Sequence, residues 1–128
     1  MTQTIRIEIP AAPPSANRIW ELGKGRAHVS KAATAFYTLT CYALGGRVLP
    51  SSWEAVNVSI LVAPTQRSGD VDNKIKPVLD ALTRARFWQD DRIVAYVSCE
   101  FLPPEKRGRT VVYIERAVAK FAAVDPAK

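Results

Sequence analysis

The sequence predicts an α/β (α+β) domain of order β-α-β-α-β-β, a small mixed sheet with helices packed on it. Three observations predict it. Three segments place apolar residues at every second position, and a fourth follows the last of them as a strand after a turn. Two segments between them repeat apolar residues three and four apart. Strand and helix alternate twice before a final pair of strands joined by a short turn, so two crossovers and one hairpin are expected.

The first strand is Thr4–Ile9, where Ile5, Ile7 and Ile9 face one way and Arg6 and Glu8 the other. Pro10–Ser15 stops it, because proline cannot donate to a ladder. Asn17–Val29 reads as a basic, glycine-containing loop carrying Arg18, Lys24, Arg26 and His28, with Trp20 among them. Ser30 is the expected N-cap of the first helix, whose apolar face takes Phe36, Leu39, Thr40, Ala43 and Leu44, and Gly45–Gly46 ends it. Ala55–Val62 is the second strand. After a polar loop, Pro64–Gly69, a second helix buries Ile75, Val78, Leu79 and Leu82, with Pro77 tolerated in its first turn. Ile93–Phe101 is the third strand and Thr110–Glu115 the fourth, with Pro103–Gly108 as the turn between them. The tail 117–128 reads as a short helix or a frayed end.

At 128 residues the chain is expected to be a single domain, 1–128, large enough to bury a core without staples. A content of 48% hydrophobic and 23% charged residues is that of a globular chain and excludes wholesale disorder. Cys41 and Cys99 lack metal spacing and make no disulfide framework, so buried free thiols are expected. No apolar run is long enough to span a membrane, and the N-terminus alternates like a strand, not a signal peptide. A soluble, cytoplasmic protein is expected. The net charge of +6 favours a phosphate-rich partner.

Against that basic background the acids are concentrated. Five of the twelve Asp and Glu residues lie between 70 and 91, while the rest of the chain has fourteen basic residues against seven acidic. Asp70 and Asp72 have the spacing that puts alternate side chains of an extended segment on one side. Asp91 follows the second helix, which can return it beside the first pair. Three aspartates would offer hard oxygen ligands, suited to Mg²⁺ or Mn²⁺ and not to zinc. Divalent ions serve phosphodiester hydrolysis by activating water and neutralising the leaving oxygen. Lys76, one turn beyond Asp72, can stabilise the charge of the transition state or hold the phosphate. Plainer readings stand beside these. Asp72 or Asn73 can simply cap the second helix. Lys76 and Asp80 can be an exposed helical ion pair. Asp90–Asp91 can be a turn before a strand. The candidate phosphate contacts are Asn17, Arg18, Lys24, Arg26, Lys31, Arg67 and Lys74, each of which can equally be solvated surface. Trp20 can stack at a branch point or be structural, and Trp88 is expected in the core at the end of the second helix.

The pattern Asp70-x-Asp72-Asn73-x-x-Lys76, then Asp80-Ala81-Leu82, then Trp88-x-Asp90-Asp91 before a Val-rich strand, resembles the RusA-like Holliday junction resolvases. Pro13-Pro14-Ser15-x-Asn17-Arg18 and Arg26-x-His28-Val29-Ser30 are similar to the opening of that family, so the resemblance runs from about Ile5 to Ile114. It implies a RusA-like fold and a homodimeric, Mg²⁺-dependent endonuclease, bacterial or phage- or prophage-encoded, that cuts four-way DNA junctions symmetrically. It further implies Asp70, Asp72 and Asp91 as metal-binding catalytic acids, Lys76 as the catalytic lysine, and Asn73 and Asp90 as supporting residues. Between Asp90 and Asp91 the residues alone do not choose, and the family pattern favours Asp91. Here only Arg67 precedes Ser68-Gly69, where the family is often richer in arginine, so junction affinity is expected to rest more on the N-terminal loop. A homodimer also suits the two-fold symmetry of a junction. Two other readings are a nuclease for other branched DNA and an inactive prophage protein that only binds junctions.

Overall fold

A computed structural model of the chain describes residues 3–16, 20–23, 26–67 and 69–117. The elements are β1 (Thr4–Ile9), β2 (Trp20–Gly23), β3 (Arg26–Val29), α1 (Lys31–Leu44), β4 (Val56–Ala63), α2 (Ile75–Arg84), β5 (Val94–Phe101) and β6 (Arg109–Arg116). Short 3₁₀ turns, Val71–Lys74 and Asp91–Ile93, precede α2 and β5.

The alternation in β4 is the backbone of the core. Val56, Val58, Ile60 and Val62 are completely buried, while Asn57, Ser59 and Leu61 on the other face are half-buried. Each fully buried aliphatic side chain of this kind contributes about 1.5–3 kcal/mol. From β1, Ile7 and Ile9 join them; from β6, Val112 and Ile114; from α1, Phe36 and Leu44; from α2, Val78, Ala81 and Leu82. Helix α1 packs on β1 and on α2.

The expected mixed sheet with helices packed on it is present, in the order β1-β6-β4-β5. The pair β4–β5 is parallel, joined through α2, and β6 runs antiparallel to both β4 and β1. One detail differs from expectation: β5 and β6 are sequential but do not form a hairpin. Strand β6 buries Val111, Val112 and Ile114 and so occupies a central position, where both its edges are paired. Strand β5, with Ala95, Tyr96 and Glu100 exposed, takes the outer position beside β4.

A second difference lies in the segment read as a loop. Strands β2 and β3 pair antiparallel from Trp20↔Val29 to Gly23↔Arg26, as a separate two-stranded sheet. Their sequences, Trp-Glu-Leu-Gly and Arg-Ala-His-Val, do alternate, and the register pairs Trp20 with Val29 and Leu22 with Ala27, but each run is only four residues long, at the lower limit of a period-two signal.

Helix α1 begins as expected. The Ser30 hydroxyl accepts a hydrogen bond from the backbone N–H of Ala33 at 3.1 Å, and Gly45 closes the helix in the left-handed region at φ 57°. Cys41 corrects the expectation of buried thiols. It is exposed, because the buried stripe of α1 is Ala33, Phe36, Thr40 and Leu44, and the next residue along points away from it. Cys99 is half-buried on β5. Trp88 is buried as expected, and its indole N–H donates to the Thr83 hydroxyl at 2.7 Å. No helix of the described residues is long and apolar enough to cross a membrane.

Candidate metal and nucleic-acid site

The acidic motif sits where the chain leaves β4 and enters α2. Gly69 takes φ +75°, a left-handed conformation that turns the chain into an extended Asp70 at φ −93°, ψ 145°. Asp70 is the N-cap residue of the 3₁₀ turn 71–74, and the turn is closed by its backbone: Asn73 N–H donates to Asp70 C=O at 3.2 Å. The Asp70 carboxylate makes no capping bond. Helix α2 follows directly, with Lys74 as its N-cap residue and no side-chain cap. The capping role open to Asp72 or Asn73 is therefore not how this helix starts. Asp70 and Asp72 are both exposed, and among the described residues neither carboxylate has a hydrogen-bond or ion-pair partner. Pro77 is the third residue of α2, where its missing N–H is one the helix cannot use anyway.

The second acidic pair divides into two environments. Asp90 caps the 3₁₀ turn 91–93: Oδ1 accepts from the backbone N–H of Arg92 at 2.9 Å, and Oδ2 lies 3.2 Å from the Arg92 guanidinium. Those bonds from Arg92, the backbone one first, hold the Asp90 carboxyl below its ordinary range. Asp91 is the first residue of the turn and is half-buried.

Lys76 connects the two acidic segments. Its Nζ is 3.1 Å from Asp80 Oδ1, the helical ion pair that the spacing allowed. The hydrogen bond to Asp80, then the charge of Asp80, hold the ammonium above its usual range, and the charge of Asp91 adds to them. The turn that carries Asp72 packs on β5, and the turn that carries Asp91 packs on α2. The strand–helix–strand return thus brings Asp91 within electrostatic reach of Lys76. Among the described residues no three His, Cys, Asp or Glu side chains form a group that could hold a metal ion. The donor chemistry nonetheless suits Mg²⁺, which is commonly held by one or two carboxylates with water and substrate phosphate, not by an all-protein cage. Asp70 at the cap and Asp72 within the turn, both exposed and without a side-chain partner among the described residues, offer such a donor pair.

The candidate phosphate contacts are scattered. Lys31 is exposed at the first position of α1. Arg67 is exposed, its guanidinium carbon 4.5 Å from the centroid of the Phe101 ring. Lys74 is half-buried, and its ammonium reaches the Pro13 carbonyl at 3.4 Å, tying the segment after β1 to the acidic turn. Asn17, Arg18 and Lys24 lie outside the described residues, as does the side chain of Arg26. Nothing in the sequence singles out Tyr37, whose ring lies against Arg84 and within reach of the charges of Asp80 and Lys76. Its position on α1 reads as ordinary half-buried packing, and only the docking of α1 on α2 reveals it.

A family model described as Endodeoxyribonuclease RusA matches residues 10–115. A crossover junction endodeoxyribonuclease of Enterobacteria phage 82 is 35% identical over 109 residues, covering 83% of this chain and 89% of the phage protein. The protein of that name from Escherichia coli K12 is 35% identical over 100 residues, covering 76% of this chain and 82% of its own length. The Shigella sonnei protein is 34% identical over the same length and coverage. The matched span contains β2 to β5, both acidic segments and nearly all of β6, and the chain belongs to the RusA endodeoxyribonuclease family.

Proposed function

We propose that this protein is a Mg²⁺-dependent endodeoxyribonuclease that resolves four-way DNA junctions by paired, symmetric phosphodiester hydrolysis, acting as a homodimer. The observation that carries this reading is the pair Asp70 and Asp72. In a family member, two carboxylates stand on a turn that uses neither of them for capping or pairing. Two like charges two residues apart with no partner repel, and a divalent cation relieves that repulsion.

Asp70 and Asp72 would hold the metal together with water and substrate phosphate, Asp91 being the third acid that the family pattern implies, and Mn²⁺ would be able to substitute. Bound there, the ion would supply an activated water and charge neutralisation at the scissile phosphate. Lys76 places a charged ammonium beside this site, and its pairing with Asp80 keeps it protonated well into the alkaline range. An ammonium at that position stabilises the extra negative charge that a phosphodiester gains as it is attacked. Asn73 and Asp90 support from either side, Asp90 by shaping the turn on which Asp91 stands. Lys31, Arg67 and Lys74, with Asn17, Arg18, Lys24 and Arg26 of the N-terminal loop, would contact phosphates along the arms. Because a junction has two equivalent scissile phosphates, a two-fold dimer presents one site to each.

The test is cleavage of a labelled synthetic four-way junction beside duplex, flap and single-stranded controls, with Mg²⁺, Mn²⁺ or chelator. Paired symmetric nicks on the junction alone, dependent on metal, are expected. Cuts on every branched form would keep the chemistry and broaden the substrate. Tight binding without cuts under every metal would overturn the enzymatic reading.

A further inference from the structure

Helix α2 carries Lys76, Asp80 and Arg84 at intervals of four residues, so the three side chains share one face. That face meets Tyr37 of α1, with the Arg84 guanidinium carbon 4.9 Å from the centroid of the Tyr37 ring. The members of the Lys76–Asp80 pair differ in exposure: 68% of the Lys76 side chain is open to solvent and 27% of that of Asp80. The ammonium is thus free to leave, whereas the carboxylate stays partly enclosed. On the facing helix the Tyr37 hydroxyl is buried and, among the described residues, has no hydrogen-bond partner. A buried O–H without an acceptor is uncommon and unfavourable. Burial and the charge of Asp80 hold that hydroxyl above its ordinary range, and Arg84 acts on it in the opposite direction. Asp80 uses Oδ1 for Lys76, and among the described residues Oδ2 has no hydrogen bond.

We propose that Asp80 is a positioning residue that orients Lys76, and that the Tyr37 hydroxyl takes over the Asp80 carboxylate when Lys76 turns to the scissile phosphate. The proposal rests on the nuclease reading above. A half-enclosed carboxylate that loses its cation needs another donor. Tyr37 is a donor that needs an acceptor. The resting arrangement satisfies Lys76 and leaves Tyr37 open; the engaged arrangement reverses this, so moving the ammonium to DNA does not strand the charge behind it. Arg84, the other cation on this face, is engaged with the Tyr37 ring.

The experiment compares single-turnover cleavage of a four-way junction by wild-type protein and by Asp80→Asn, Asp80→Glu, Tyr37→Phe, Lys76→Met and the Asp80→Asn/Lys76→Met double variant. Competitive acetylation of Lys76 in the DNA-free protein is read by mass spectrometry alongside. Asp80→Asn is expected to slow cutting about tenfold, the loss of one charge-assisted hydrogen bond, with junction affinity unchanged. Asp80→Glu should recover part of the rate, and Asp80→Asn should cost nothing further in the Lys76→Met background. Acetylation of Lys76 should rise in Asp80→Asn. Tyr37→Phe should melt higher, because an unsatisfied hydroxyl is gone, and yet cut more slowly; a purely structural tyrosine would give the first effect without the second. Wild-type cutting rates in both Asp80→Asn and Tyr37→Phe would overturn the proposal, as would a full additive loss in the double variant. A wild-type protein that cuts no junction under any metal would instead overturn the nuclease reading, and this proposal with it.

Discussion

Asp90 accepts a hydrogen bond from the Arg92 backbone N–H at 2.9 Å and pairs with the guanidinium of the same residue at 3.2 Å, while its neighbour Asp91 takes no part in that cap and adds its charge to those acting on Lys76. Two adjacent carboxylates therefore have different work. Asp91→Asn should reduce cleavage by at least about a hundredfold, the scale of losing a metal-directed carboxylate, with little change in melting temperature. Asp90→Asn should retain most cleavage and melt lower. The sign with pH is fixed by the direction of the Asp90 shift. Its folded value lies below the ordinary 3.8, so its stabilisation is present above that value and is lost as pH falls through the folded one. Thermal melts of the two variants between pH 2 and pH 7 check this: the wild-type advantage over Asp90→Asn should vanish at the acid end.

Neutralising either member of the first pair should separate folding from function in the opposite sense. Asp70 and Asp72 make no cap and no ion pair among the described residues. Asp70→Asn and Asp72→Asn should therefore leave stability within about 0.5 kcal/mol of wild type in chelator, or raise it slightly by relieving repulsion. Junction binding in chelator should be retained or tightened, since a negative charge facing phosphate is removed. Cleavage in Mg²⁺ should be lost. Denaturant melts, a binding isotherm and the cleavage assay on the same preparations decide it; a loss of stability above 1.5 kcal/mol would instead make these carboxylates structural.

What was legible in the sequence was what local chemistry determines. The Ser30 cap and the left-handed Gly45 bound α1 as written because each acts within one turn of its own position. The period of β4 was legible because one face is wholly buried. Lys76 near the start of α2 was legible, whereas the spacing of Asp70 and Asp72 was read as that of an extended segment and only Asp70 is extended, Asp72 standing in the 3₁₀ turn 71–74. Strand neighbours were not. Whether β6 lies beside β5 or between β4 and β1 depends on which strand buries more, and the turn 102–108 permits either. Nor could the sequence separate Asp90 from Asp91, since a single backbone turn decides which carboxylate is used for capping. Tyr37 escaped notice because its meaning comes from α2, about forty residues along the chain.

The two thiols should differ sharply in reactivity. Cys41 is exposed on α1, while burial pushes the Cys99 thiol up from 9.0 to about 11. The thiolate is the nucleophile, and at pH 8 only about one part in a thousand of a thiol with that value is ionised. A thiol reagent at pH 8 should modify Cys41 first and Cys99 slowly, resolved by peptide mass. The same shift gives an alkaline limit. Cys99 contributes stability fully below pH 9.0, and that contribution is lost as pH rises toward about 11. Tyr37, also held above its ordinary value by burial, acts in the same direction. The fall in melting temperature across this window should be shallower in Cys99→Ala than in wild type.

Gly108 holds the segment that leads to Asn17, and its replacement should show how far that segment matters. It takes φ +74°, and a Cβ there would lie 2.8 Å from the backbone nitrogen of Ala12 and 3.0 Å from its Cβ. The same segment is pinned on either side by Thr110, whose hydroxyl donates to the Ala11 carbonyl at 2.7 Å, and by Lys74, which reaches the Pro13 carbonyl. Gly108→Ala should therefore cost roughly 1–3 kcal/mol, from a left-handed alanine and from backbone that has to give way. If residues 10–16 set the approach of the N-terminal loop to DNA, this variant should also weaken junction binding, and the cleavage rate once the junction is saturating should fall less, because the segment carries none of Asp70, Asp72 or Lys76 and is tied to the turn before α2 through the Lys74–Pro13 bond. A variant that folds less stably but binds wild-type junctions with unchanged affinity would place the DNA contacts elsewhere, on Lys31 and Arg67.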